Sequence, residues 1–125
     1  MKVAAVTGYL LAESKYHHGD GPGSEAITMM AQDHKMSLPY FDGIGDFGSL
    51  YTPVAGAARY VEIALSKNYD LLFKDNNLLQ HIIEEGDSIE PYTFYPIIPT
   101  ILINSTMGIA IGYQSSIIIA PIYSC

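Results

Sequence analysis

The chain has 125 residues, of which 49% are apolar and 15% charged, so it is long enough for one domain with a real core and is not a disordered tail. Six Lys and Arg against thirteen Asp and Glu give a net charge of −7, which excludes a generic basic coat for nucleic acid, because such binding runs on phosphate neutralisation. The single cysteine, Cys125, excludes an internal disulfide framework and a thiolate zinc cluster, and no apolar run approaches the roughly 18 residues of a membrane-spanning helix.

In chain order, residues 2–13 read as a helix, with Val3, Val6, Leu10 and Leu11 at helical spacing as its buried stripe. One lysine and a short apolar stretch make a poor signal peptide. Ser14–Pro22 reads as a loop. Ser24 is placed to cap a helix over Glu25–His34, with Ile27, Met30 and Ala31 on one face. Leu38–Pro53 reads as a glycine-rich loop region, and Tyr60–Leu65 alternates as a half-buried strand does. Short helices are expected over Asn68–Phe73 and Leu78–Ile83, with an acidic solvated turn over Glu84–Glu90. Phe94–Ile103, with Pro96 and Pro99, reads as an irregular or edge strand, and Gly108–Tyr113 as a short buried strand between glycines. The acidic turn near residue 88 is the best candidate for a domain boundary.

Three local patterns bear on chemistry. Gly43-Ile44-Gly45-Asp46-Phe47-Gly48 has the GxGxxG form of a phosphate-binding loop. A dinucleotide loop follows a strand and opens a helix; here Tyr51-Thr52-Pro53 follow, and a tight turn is the better reading. His17 and His18 are adjacent, so on an extended chain they point to opposite faces and rarely share a metal; no metal site is expected. Arg59, the only arginine, directly precedes Tyr60 after the small-residue run Ala55-Gly56-Ala57-Ala58. A guanidinium grips phosphate with a bidentate fork, and a phenol beside it is a potential nucleophile towards a phosphodiester. On local residues alone, an arginine paired with an acidic neighbour on a surface strand is equally good.

The blocks Lys15-Tyr16-His17-His18-Gly19-Asp20, Met30-Ala31-Gln32-Asp33, Asp42–Ser49, Ala57-Ala58-Arg59-Tyr60, Ile98–Asn104 and Gly108–Gly112 occur in this order and spacing. Together they resemble the breakage-reunion subunit of type IIA DNA topoisomerases, the group of gyrase A, topoisomerase IV C and the medium subunit of phage topoisomerases, over about residues 2–117. The resemblance implies an α+β fold, with a winged-helix (CAP-like) module at 1–89 followed by a truncated start of the tower domain at 90–125. It implies DNA cleavage and religation within an ATP-dependent type II topoisomerase, an isomerase working through a 5′-phosphotyrosine.

Residue by residue, it puts Tyr60 on the nucleophile and Arg59 on the arginine that stabilises the scissile phosphate. Lys15, His17 and His18 fall in a loop that lies along the DNA near that phosphate, and the resemblance counts His18 with Tyr60 and Arg59 as catalytic. Ile109 falls on the isoleucine wedged between base pairs. Gly21 and Glu25 fall on the quinolone-anchoring pair, usually a serine and an acid, so a weak or altered quinolone response is implied. Mg2+ would be held by a Toprim domain of another subunit or region, and ATP hydrolysed elsewhere in the assembly. The implied partners are double-stranded DNA, an ATPase/Toprim subunit and a second copy of the chain within a heterotetramer. The implied location is the cytoplasm of a bacterial or phage-infected cell, with no membrane partner.

Four departures accompany the resemblance: no upstream basic helices, an early stop in the tower, Ile44 and Asp46 where Gln and Asn are usual, and a drifting apolar tail at Ile117–Cys125. The chain therefore reads as a fragment that is inactive alone. The alternative is a catalytically incompetent piece that acts only as a DNA- or partner-binding winged-helix module.

Overall fold

The computed structural model describes every residue except 15, 17, 76, 77, 85, 86 and 118–125. Helix α1 spans Val3–Glu13 and helix α2 spans Asp20–Ala31. The α1 stripe differs from the expected one. Val3 and Thr7 are buried, whereas Val6, Leu10 and Leu11 are only half-covered. Thr7 is tolerated inside because its hydroxyl donates to the Val3 carbonyl at 2.9 Å and is shared with Ser24 Oγ at 3.1 Å.

Helix α2 begins four residues before the expected cap, and Ser24 lies within it. Gly21, Pro22 and Gly23 look like a loop but do not prevent a helix start. The first-turn N–H groups have no helical partner, so Pro22 loses nothing there. Asp20 adds an acid to the positive end of the helix and accepts the Gly21 N–H at 2.9 Å. Gly23 is needed for close packing: a Cβ there would stand 3.2 Å from the Thr7 methyl on α1. The helix ends at Ala31, short of the expected His34, with Ile27 and Ala31 buried.

The expected loop over Leu38–Pro53 contains a strand, β1 (Phe41–Ile44), paired antiparallel with β2 (Glu62–Leu65) in the register Phe41↔Leu65 to Ile44↔Glu62. The first residues of the chain extend this pair. Lys2 bridges Glu62, the Ile63 N–H donates to Met1 O at 2.7 Å, and the Val3 N–H donates to Val61 O at 3.1 Å. Val61 and Ile63 are buried as the alternation requires, but Leu65 is exposed. The core is Val3, Ile27, Ala31, Phe47, Val61 and Ile63, with Val6, Phe41 and Ala58 against it.

Helix α3 (Lys67–Leu72) is capped by Ser66, whose hydroxyl accepts the Asn68 N–H at 3.3 Å. It packs Tyr69 and Phe73 against Tyr40, with Phe94 edge-on to Phe73 at 6.0 Å. The helix expected over Leu78–Ile83 is not formed: His81–Glu84 is strand β3, paired with β4 (Asp87–Pro91). Adjacent β-branched Ile82 and Ile83 favour a strand, and the pairing takes in most of the expected acidic turn. Strand β4 also runs across residues 88–90, where the boundary was expected.

Phe94–Ile103 forms no strand, its prolines leaving only a 3-10 turn at Thr100–Leu102. The expected buried strand at Gly108–Tyr113 is instead the tip of an exposed hairpin, β5 (Thr106–Ala110) with β6 (Tyr113–Ile117), turning at Ile111-Gly112. One buried side chain ties this part to the first: Asn104 accepts the Leu38 N–H at 3.1 Å and donates to the Leu38 carbonyl at 3.4 Å.

Candidate functional site

Arg59 and Tyr60 lie in a turn separated from β2 by Val61, so the strand starts two residues later than expected. Four backbone bonds fix that turn. The Tyr60 and Val61 N–H groups donate to Ala57 O at 2.8 and 3.4 Å, the Ala4 N–H to Ala58 O at 2.9 Å, and the Val3 N–H to Val61 O. The residues on either side are thus bonded into the core, while Tyr60 itself is 73% exposed. The Arg59 guanidinium carbon lies 5.3 Å from the centre of the Tyr60 ring. Among the described residues Arg59 has no carboxylate partner. An uncommitted cation and a solvent-facing phenol share one rigid turn, which suits them to an anionic ligand approaching from outside.

The chain reaches this turn through a long loop, residues 45–60, between β1 and β2. The GxGxxG segment starts in β1 with Gly43 and Ile44, continues as the outgoing leg of that loop, and opens no helix. Gly45 and Gly48 take φ of +112° and +76°. A Cβ on Gly48 would stand 2.7 Å from the Thr52 carbonyl oxygen, so the two legs of the loop touch backbone to backbone, as a tight turn requires. Asp46 has a local use that its charge alone did not reveal: its carboxylate accepts the Gly48 N–H at 2.9 Å. The Gly56 N–H donates to Asp46 O at 2.8 Å and closes the loop.

Gly21 and Glu25 are exposed one helical turn apart on α2. Glu25 and Ala58 line one open groove of 720 Å³ between α2 and the returning leg of the loop. Gly21, Arg59 and Tyr60 are not among the residues that line it. His18 is exposed and its ring meets Tyr16 edge-on at 5.2 Å, rather than Tyr60. Lys15 and His17 lie outside the described residues. Ile109 is 79% exposed on β5, one pair from the hairpin turn, where Ala110 and Tyr113 face each other. Among the described residues no three His, Cys, Asp or Glu side chains are grouped to hold a metal ion, and no helix is long and apolar enough to cross a membrane.

Two buried amides have no role in the sequence reading. Gln32 and Asn104 are 3% and 5% exposed, and both bond backbone far away in sequence. Gln32 stands in one of the blocks that carry the resemblance, but a polar residue just past an apolar helix face carries no sign that it turns inward.

Residues 1–121 match the family model that describes the A subunit of DNA gyrase/topoisomerase IV. The chain is similar to the DNA topoisomerase medium subunit of Enterobacteria phage T4, with 36% identity over 117 residues, covering 94% of this chain and 26% of that protein. It is also similar to DNA topoisomerase 2 of Plasmodium falciparum (isolate K1 / Thailand), with 38% identity over 123 residues, covering 93% of this chain and 9% of that protein. Among solved structures, the Plasmodium falciparum topoisomerase II DNA-binding, cleavage and re-ligation domain superposes with a TM-score of 0.83 at 36% identity, over 94% of this chain and 17% of that one. The chain thus spans about a quarter or less of the length of these relatives.

Proposed function

Because the chain belongs to the family of DNA gyrase/topoisomerase IV A subunits and shares the α+β fold of a topoisomerase II cleavage domain, we propose that it supplies half of a DNA-cleaving site with Tyr60 as nucleophile. The observation that carries this reading is the Arg59-Tyr60 turn: a solvent-facing phenol beneath a guanidinium with no carboxylate partner among the described residues, both on backbone bonded to the core.

The step balances as a transesterification. Tyr60 Oη attacks the scissile phosphorus and loses its proton to solvent or a base. The bond to the 3′ oxygen breaks, and that oxygen takes up a proton to become a 3′ hydroxyl. The strand's 5′ end remains on Tyr60 as a phosphotyrosine. Religation is the reverse, so the backbone bond is restored without further energy input. Arg59 neutralises the charge that builds on the phosphoryl oxygens. His18 and the other loop residues, Lys15 and His17, are proposed to lie along the duplex, and Ile109 to enter the base stack and help bend it.

The family is one of Mg2+- and ATP-dependent type II topoisomerases. The magnesium is proposed to come from a Toprim-bearing subunit or region, and ATP to be hydrolysed elsewhere in the assembly. Cutting both strands requires two copies of Tyr60, hence a homodimer within a heterotetramer. The proposed module division at about residue 89 and the location in a bacterial or phage-infected cytoplasm belong to the same reading.

The test is a cleavage reaction containing this chain, a Toprim-bearing partner, Mg2+ and a nicked duplex, stopped with denaturant. The expected result is a covalent protein–DNA adduct that is absent with Tyr60→Phe. A folded chain with a competent partner that binds DNA and forms no adduct would reduce it to the non-cleaving alternative.

A further inference from the structure

Gln32 is the first residue past α2, and it lies nearly out of water at 3% exposure. Its backbone is committed locally: its N–H donates to Met29 O, and its carbonyl accepts the Lys35 and Met36 N–H groups. Its side chain leaves the helix altogether. The carboxamide nitrogen donates to the Phe47 carbonyl at 2.9 Å and reaches the Pro53 carbonyl at 3.4 Å. Phe47 is on the outgoing leg of the 45–60 loop and Pro53 on the returning leg. One –NH2 group, with two hydrogens, therefore spans both legs and joins them to the end of α2.

The loop's own bonds complete the arrangement. Gly56 N–H to Asp46 O closes its base, and Ser49 N–H to Thr52 O its tip. From Gly56 only Ala57 and Ala58 precede Arg59, and Ala57 O accepts the Tyr60 and Val61 N–H groups. We propose that Gln32 is a positioning residue: its carboxamide transmits the placement of α2 to the loop that presents Arg59 and Tyr60. The inference rests on Tyr60 being the nucleophile only for its effect on cleavage. That Gln32 holds the loop stands independently. Gln32 lies behind the loop, so it needs no contact with DNA to affect the reaction.

Removing the donors leaves the carbonyl of buried Phe47 unpaired and frees the returning leg at exposed Pro53, so the outgoing leg must open to water or shift to satisfy that carbonyl. A displacement of about 1 Å at a reacting group can cost up to ~100-fold in rate. The variant of choice is Gln32→Met, close in length and volume but without a donor. Three readouts are made on the whole chain. In the wild type, the Gln32 side-chain amide protons are expected to exchange with solvent at least about 10-fold more slowly than those of a free glutamine. Exchange at the free rate overturns the proposal, whatever the variants do. In Gln32→Met, amide protection is expected to fall at Gly56 and Tyr60 and to persist at Val3 and Ile63; unchanged protection at Gly56 and Tyr60 overturns it. With the Toprim partner, Mg2+ and a nicked duplex, Gln32→Met is expected to slow adduct formation about 10- to 100-fold while duplex affinity stays within about twofold. Adduct formation at the wild-type rate overturns the positioning role. If the wild-type chain forms no adduct, it is the reading of Tyr60 that fails, and the two exchange measurements still decide whether Gln32 holds the loop.

Discussion

The two halves of this chain bury their side chains to very different degrees. Six residues from Val3 to Ile63 form one closed cluster from two helices, strand β2 and the loop before it. Beyond α3, among the described residues, only Ile103 is a buried hydrophobic. Over the same stretch Phe94, Tyr95, Ile97, Ile98, Ile101 and Leu102 are exposed, and Ile111 is fully so. The first half therefore has the means to stand alone, whereas a two-stranded hairpin such as β5–β6 is at best marginal without something to pack on. The chemistry follows the same division. Arg59 and Tyr60 are anchored by backbone bonds to that core, and Ile109 stands on the hairpin, joined to the first half through Asn104 and Leu38.

The sharpest way to break the comparison is to change function without stability in the first half. Arg59→Ala is expected to lower the adduct-forming rate by about 100-fold or more, as removal of a charge-stabilising donor does. Its melting temperature is expected to stay within about 1 °C of wild type, because an exposed side chain with no ion pair among the described residues contributes little. A large fall in melting temperature would mean that Arg59 holds the turn together rather than facing the phosphate.

The next effect is on stability. Ile63→Ala empties part of the core and is expected to cost ~2–5 kcal/mol by chemical denaturation. Ile111→Ala is expected to leave the transition unchanged. Equal losses would mean that the second half folds as one unit with the first.

Asn104→Ala tests the joint between the halves. It leaves the Leu38 N–H and carbonyl without their partner and is expected to cost ~1–3 kcal/mol. The accompanying loss of amide protection should be concentrated at Leu38 and in β5–β6.

The smallest effect has the opposite sign. The His34 side chain is 8% exposed, and among the described residues both its ring nitrogens are buried without a hydrogen-bond partner, the Asp33 carboxylate standing 3.9 Å from Nδ1. An open cavity of 560 Å³ lies beside it, bounded by Met29, Met36 and Met107. His34→Phe removes two desolvated polar atoms at similar shape and is expected to stabilise the chain by about 1 kcal/mol, read as a higher melting temperature. A loss of stability would show that the imidazole has a partner in solution.

The same division governs what could be read from the sequence. The Ile27–Ala31 face and the Val61–Ile63 alternation were legible because each buries a periodic face, and the first helix was legible in its span, although it buries Val3 and Thr7 rather than the whole apolar stripe. The start of α2 was not, because Gly21, Pro22 and Gly23 resemble a loop until Thr7 of α1 is seen against Gly23. In the second half the same apolar residues misled. Ile82 and Ile83 fit a short helix or a strand, and only pairing with β4 decides between them. The apolar strand expected at Gly108–Tyr113 is an open hairpin tip, since apolar character alone does not say what covers it. At the site, Arg59 beside Tyr60 could be read from composition, there being only one arginine. Gln32 and Asn104 could not, because their partners are backbone groups 15 to 66 residues away.

The most direct measurement is to locate the covalent bond. The adduct formed with a Toprim-bearing partner and Mg2+ would be digested with protease and nuclease and the nucleotide-bearing peptide sequenced by mass spectrometry. The expected result is a single peptide spanning Ala58–Glu62 with a nucleotide joined through its 5′ phosphate to Tyr60. Attachment at any of the other nine tyrosines, or through a 3′ phosphate, would contradict the assignment of Tyr60 as the nucleophile.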